Sequence, residues 1–390
     1  MTLKTICILL VLISSAMVRA DDIRKADKPS KAEAKDIMDG VYGAFVKIIP
    51  YVYLDEKKLE NLKTNSSQKN NLLKNLNDIS GFFKSARHIE YFQRPGFRPS
   101  LDTINKHIDD TVSAVKNNNY IFAQKRMKAL TSLCISCHSQ LSEVASENAF
   151  GNAICNVKKE AFGSNYAFGN YLFLVRRFND SEKYFDLAIT EAVKSNDDQE
   201  LFASLRRIIS IHTKINFNPS LADSFIKKYQ GDKSLPVLAQ DQLKIWSRSL
   251  KKWKNFNPKK IKSIESFIKI YLAPLEDNKD KIASGENDIT LLVSSGVLSK
   301  YLNDNPKSKN VPGILYWLSI AERRLSNSFF FSLSDLYLKD CVRLYPKSKY
   351  GKKCYQEYAD NIEFGYSGSG GTDIPKEEKQ ELDALKEALK

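Results

Sequence analysis

In Leu133-Cys134-Ile135-Ser136-Cys137-His138-Ser139 two thiols stand three positions apart and an imidazole follows at once. Cys-x-x-Cys-His is the spacing of covalent c-type haem attachment. Two thiols reach the two vinyl groups of one porphyrin, and the next side chain presents a nitrogen to the iron at its centre. Met127, Leu130, Cys134, Cys137, His138 and Leu141 recur at intervals of three and four, so one helix face is expected to carry both cysteines and the histidine. A redox dithiol would expect a βαβ context, and none is visible nearby. A zinc site would need two further Cys or His ligands at metal spacing, and no second pair exists. A structural disulfide is the other reading of the pair.

Upstream, residues 32–51 place Ala34, Met38, Val41, Phe45 and Ile48 on one face, with Pro50 expected to end the helix. Leu72, Leu73, Leu76, Ile79, Phe82 and Phe83 predict a second helix running towards His88. After the break Arg94-Pro95-Gly96-Phe97-Arg98-Pro99, Ser100 is the expected N-cap of a third, carrying Leu101, Ile104, Ile108, Val112 and Val115. Asn117-Asn118-Asn119 is too short to separate it from the motif helix, about 120–142, so the two are expected as antiparallel neighbours. The economical arrangement is a four-helix bundle around a buried cofactor, closed before residue 146.

A four-helix unit with Cys-x-x-Cys-His near the end of its last helix resembles the class II c-type cytochromes, the cytochrome c-prime group, over roughly residues 25–145. The resemblance implies one covalent haem c held by Cys134 and Cys137, with His138 as proximal iron ligand. It further implies Met38 on the distal side, where that family has either a ligating methionine or an apolar residue. A six-coordinate histidine–methionine iron suits electron transfer, and an open site suits ligand binding. His88 and His107 are read as ordinary helix histidines, and Met127 as a proximal-side residue. The chain departs from the family after the histidine, where Ser139, Gln140, Leu141 and Ser142 replace an aromatic residue and an arginine.

Lys4, the apolar run Ile6–Ile13 and Val18-Arg19-Ala20 read as a cleavable export signal, residues 1–20, too short to span a membrane. Haem attachment of this kind belongs outside the cytoplasm, so the expected address is a periplasm, with no transmembrane segment in the mature chain. The net charge of +14 points to an acidic partner or an anionic surface. The lysines read as scattered through amphipathic segments, giving a solvated basic surface and no nucleic-acid site.

Residues 146–365 read as successive helices with short polar breaks. Gly169, Ser181, Phe185 and Ala188 have the offsets of small and aromatic positions in tetratricopeptide repeats, which this part of the chain resembles. Asn305-Pro306-Lys307-Ser308-Lys309 is echoed forty positions on by Tyr345-Pro346-Lys347-Ser348-Lys349. Such an array presents a surface for a protein redox or assembly partner and has no chemistry of its own. His212 and the tryptophans Trp246, Trp253 and Trp317 read as packing. Residues 366–390 read as a flexible, charged, solvated tail. Of the cysteines beyond the signal and the motif, Cys341 and Cys354 flank the Tyr345–Gly351 turn and are expected to bond, leaving Cys155 free. The expected molecule is all-α, an exported monohaem electron carrier; a gas or ligand sensor and an assembly scaffold are the alternatives, and no catalytic constellation is present.

Overall fold

A computed structural model describes residues 32–54, 56–140, 157–276 and 285–390. The export stretch, Leu141 and Cys155 lie outside them. The described chain is helical throughout, apart from a two-residue hairpin pairing Ser367–Gly368 with Gly371–Thr372.

Helix α1 covers residues 32–52, running through Pro50 and not ending there. The carbonyls of Tyr51 and Leu54, at its exit, accept from the Gln124 side chain. A short turn, Glu56–Glu60, leads to α2, Ser66–Ala86, which Asn65 caps by accepting from the Gln68 amide. Helix α3, Arg98–Lys116, starts two residues before the expected Ser100, because Pro99 is tolerated in a first turn where no amide donor is needed. Asn118 takes a left-handed conformation (φ 58°) in the link to α4, Tyr120–His138, and Asp110 pairs with Arg126 across the resulting antiparallel pair.

The longer helices that remain are α5 Asn165–Leu174, α6 Phe178–Ser195, α7 Asp198–Ser210, α8 Pro219–Tyr229, α9 Val237–Leu250, α10 Ile264–Tyr271, α11 Asp288–Asp304, α12 Val311–Phe329, α13 Ser334–Leu344, α14 Gly351–Gly365 and α15 Lys376–Ala388. Helix α7 continues into a π-turn, Ile211–Ile215. Sequential helices pack on each other: α5 on α6, α6 on α7, α11 on α12, α12 on α13 and α13 on α14. The residues picked out by their offsets meet in space. A Cβ on Gly169 would lie 2.9 Å from the Phe185 ring, and Ser181 Oγ donates to the Gly169 carbonyl at 2.8 Å. Only a residue without a side chain lets α5 and α6 approach this closely.

The echoed loops are one structure used twice. Asn305 (φ −135°, ψ 55°) and Tyr345 (φ −135°, ψ 47°) end α11 and α13 in the same way. The Ser308 amide then donates to Asn305 and the Ser348 amide to Tyr345, both at 3.0 Å. The second loop is stapled by the expected Cys341–Cys354 disulfide, with α-carbons 6.2 Å apart.

The C-terminal stretch differs from the solvated tail expected of its charge. Helix α15 lies on α13 and α14 with Leu385 buried, Arg343 paired with Glu381 at 2.5 Å and the Tyr358 hydroxyl donating to Glu378. Its leucines Leu382, Leu385 and Leu389 recur at helical spacing and find an apolar floor. Among the described residues no helix is long and apolar enough to cross a membrane.

Candidate functional site

Helix α4 delivers the motif at its C-terminal end, where Met127, Leu130, Leu133 and Ile135 hold it in the core. From Leu130 to Gln140 every residue is buried except Ser132, Cys134, Cys137 and His138, which are half-buried. The two thiols and the imidazole therefore share a stripe that the packing leaves partly open, as the positions i, i+3 and i+4 require.

His138 is oriented from another part of the chain. Its Nδ1 lies 2.5 Å from the carbonyl oxygen of Leu174, at the end of α5. A carbonyl only accepts, so Nδ1 carries the proton and Nε2 the lone pair. Burial lowers the imidazole to about 4, against the pull of the Leu174 bond and with the help of Arg176, so the ring is neutral. A neutral, oriented imidazole is the form in which histidine ligates iron.

No disulfide joins Cys134 and Cys137, which removes the structural disulfide reading in this structure. Burial, with Cys137 next to it, pushes the Cys134 thiol up to about 12. A redox dithiol needs a thiolate stabilised at a helix N-terminus or by a cation, whereas this pair stands at a helix C-terminus, which disfavours negative charge. Among the described residues no group of three or more His, Cys, Asp or Glu side chains is placed to hold a metal ion. Two cysteines and one neutral imidazole on a half-buried stripe are the donor set that a porphyrin iron bound through two thioethers would need.

Residues from later helices lie close to the motif. Tyr337 of α13 is fully buried, its ring beside Gly96 and its phenol close enough to Glu322, Cys137 and Asp340 for each to raise it, although burial raises it most. The Tyr337 hydroxyl has no hydrogen-bond partner among the described residues. Asn303 of α11 donates to the Gln140 carbonyl at 2.9 Å, just beyond the motif. Met38 is a half-buried residue of α1, one turn before Tyr42, whose hydroxyl lies 2.5 Å from that of Tyr171 on α5. Tyr171 in turn precedes Leu174 by one turn.

Of the other histidines, His88 is exposed, and His212 is buried with Nε2 3.0 Å from Glu182. His107 is buried edge-on to Phe331, with ring centroids 6.1 Å apart. Trp246 and Trp253 pack fully and donate to Asp288 and Thr290. Leu174, Tyr337 and Asn303 had no signal in the sequence: the first acts through its backbone, and the others lie 200 and 166 positions from Cys137. No protein-family model, curated protein or solved structure matches the chain.

Proposed function

We propose that the protein is an exported monohaem c-type cytochrome that works as an electron carrier, with Cys134 and Cys137 as thioether positions and His138 as proximal ligand. One observation supports this above all: His138 is held through Nδ1 by the Leu174 carbonyl, which leaves the lone pair on Nε2 as a ligand. Bound there, the haem iron would cycle between two oxidation states. The chain's own contribution is to hold the imidazole neutral and fixed, so that little reorganisation accompanies a change of charge. The half-buried thiol stripe keeps an edge of the site near the surface, as exchange with a partner requires.

The helices α1–α4 are read as a class II-like haem bundle, and α5–α14 as tetratricopeptide-like hairpins that dock a partner protein. The close Gly169–Phe185 packing and the duplicated loops support the second part. Met38 is the distal candidate. The test is expression with c-type haem maturation enzymes, followed by mass and optical spectra of the purified chain. One haem resistant to acid–acetone extraction is expected, reduced to a single thioether in Cys134→Ala or Cys137→Ala and misligated in His138→Ala. Absence of covalent haem in the wild type would refute the reading. Met38→Ala then separates the coordination states: loss of a sulfur-to-iron band with gain of carbon monoxide binding identifies a methionine ligand.

A further inference from the structure

Between Asp241 and Glu265 the chain has no acidic residue and carries Lys244, Arg248, Lys251, Lys252, Lys254, Lys259, Lys260 and Lys262. The basic residues are thus not only scattered, as their overall spread suggests, but concentrated in the connection from α9 to α10. That connection is a firm platform. Trp253 is buried, donates through Nε1 to Thr290 Oγ1 at 3.3 Å, and stacks near Phe256 and Tyr271, with ring centroids at 5.0 and 4.6 Å. Around this anchor, Lys251, Lys252, Lys254, Lys259, Lys260 and Lys262 are all exposed, and none is ion-paired among the described residues. A groove along α9 adds Arg248 beside Lys251, while Lys244 in the same groove is paired with Asp241 at 2.9 Å. Ile270, on the helix that packs against Trp253, is 62 % exposed.

We infer that this platform docks the protein on an anionic lipid surface. Six like charges held together without counter-charges repel one another and gain most from a surface of opposite sign. All six in the loop are lysines. Flexible point charges match a fluid array of headgroups, whereas fixed carboxylates on a protein are better met by the planar fork of arginine. An exposed isoleucine on the helix that follows, Ile270, offers an apolar foothold at the headgroup boundary. Helix α11 spans from Thr290, at the platform, to Asn303, at the Gln140 carbonyl beside the motif. Thirteen residues of helix put roughly 20 Å between the two ends. Lipid contact at the platform is therefore made at a distance from the Cys134–His138 motif.

The full chain is tested by co-sedimentation with vesicles of phosphatidylcholine containing phosphatidylglycerol, against phosphatidylcholine alone. Binding only to the anionic vesicles, weakening with salt, is expected. Lys251→Glu/Lys252→Glu/Lys254→Glu should lower affinity by about a hundredfold or more. The neutralising Lys259→Gln/Lys260→Gln/Lys262→Gln should lower it less, and Lys125→Glu/Lys307→Glu/Lys347→Glu, of equal charge change elsewhere, should lower it little. All replaced side chains are exposed, and circular dichroism checks that each variant is folded. The inference is overturned by no anionic-vesicle binding in the wild type, by equal loss in the control triple, or by binding to an acidic polypeptide but not to vesicles.

Discussion

The amide of Gly96 donates to Asp340 Oδ2 at 2.7 Å, a buried hydrogen bond between residues 244 positions apart. Gly96 has φ +87°, and a Cβ there would lie 3.1 Å from the Tyr337 ring. Asp340→Ala strips a buried donor of its partner and should cost about 2–3 kcal/mol. Gly96→Ala adds backbone strain and should cost more than about 1 kcal/mol. Urea unfolding measures both. Changes of a few tenths would mean that α3 and α13 are not held together at this point.

The same contact bears on residues 1–145 taken alone. Their sequence suggests a self-contained bundle, but the core continues from α1–α4 into the later helices, and Leu174, Asp340 and Asn303 each bond into the first part. A chain ending at residue 145 is expected to be poorly soluble or to unfold without cooperativity. A soluble fragment with a sharp thermal transition would contradict this.

Lys214 and Glu322 form an ion pair at 2.9 Å with side chains 1 % and 3 % exposed, Ser295 donating to the same carboxylate at 2.7 Å. The Lys214 ammonium also lies 4.6 Å from the centre of the Phe330 ring. Glu322→Leu leaves a buried cation unpaired and should cost about 3–5 kcal/mol. Glu322→Leu/Lys214→Met should recover most of that loss, because the charges leave together. A double variant as unstable as the single one would show that the pair supports more than itself.

Asp288, which accepts from Trp246 Nε1 at 2.9 Å, is pushed up to about 6 by burial, opposed by the Trp246 bond and Arg206. Its folded value lies above the unfolded one, so the native state binds the proton more tightly and stability falls as pH rises from about 4 to about 6. Asp288→Asn keeps an acceptor for Trp246 without the charge. It should be more stable than wild type at pH 7 by about 2 kcal/mol and no more stable near pH 4. Chemical denaturation at the two pH values makes the comparison, and an equal difference at both would remove Asp288 as the cause.

Breaking Cys341–Cys354 frees a loop with a sequence separation of 13. Loss of so short a cross-link should destabilise by about 3 kcal/mol. Cys341→Ser/Cys354→Ser, compared with wild type under oxidising conditions, gives the value; equality of the two would mean that the bond does not form in solution.

What was legible in the chain was local. Cys134, Cys137 and His138 are spaced by one helix turn, so their shared face follows from the helix alone. Gly169, Ser181 and Phe185 belong to neighbouring helices joined by a short link, and their offsets suffice to bring them together. The loop at Asn305 repeats at Tyr345 because the same residues solve the same turn. Other features depended on distant partners. Leu174 serves through a carbonyl that every residue has, and Lys214 meets Glu322 across 108 positions. The lysine density from Lys251 to Lys262 was visible, but its exposure depends on Trp253 turning inward. Pro50 as a stop and Ser100 as a cap follow local preference, but the first helix runs two residues past Pro50, and Pro99 is accepted in the first turn of α3.

A row of helix hairpins is most vulnerable at its two ends, where the outermost pair has a neighbour on one side only and opens first. Here α4 packs on α5, and α15 lies on α13 and α14, the pair that carries the disulfide. Among the described residues the helices at both edges are thus packed on a neighbour, and opening at either edge should cost more than the release of a bare hairpin.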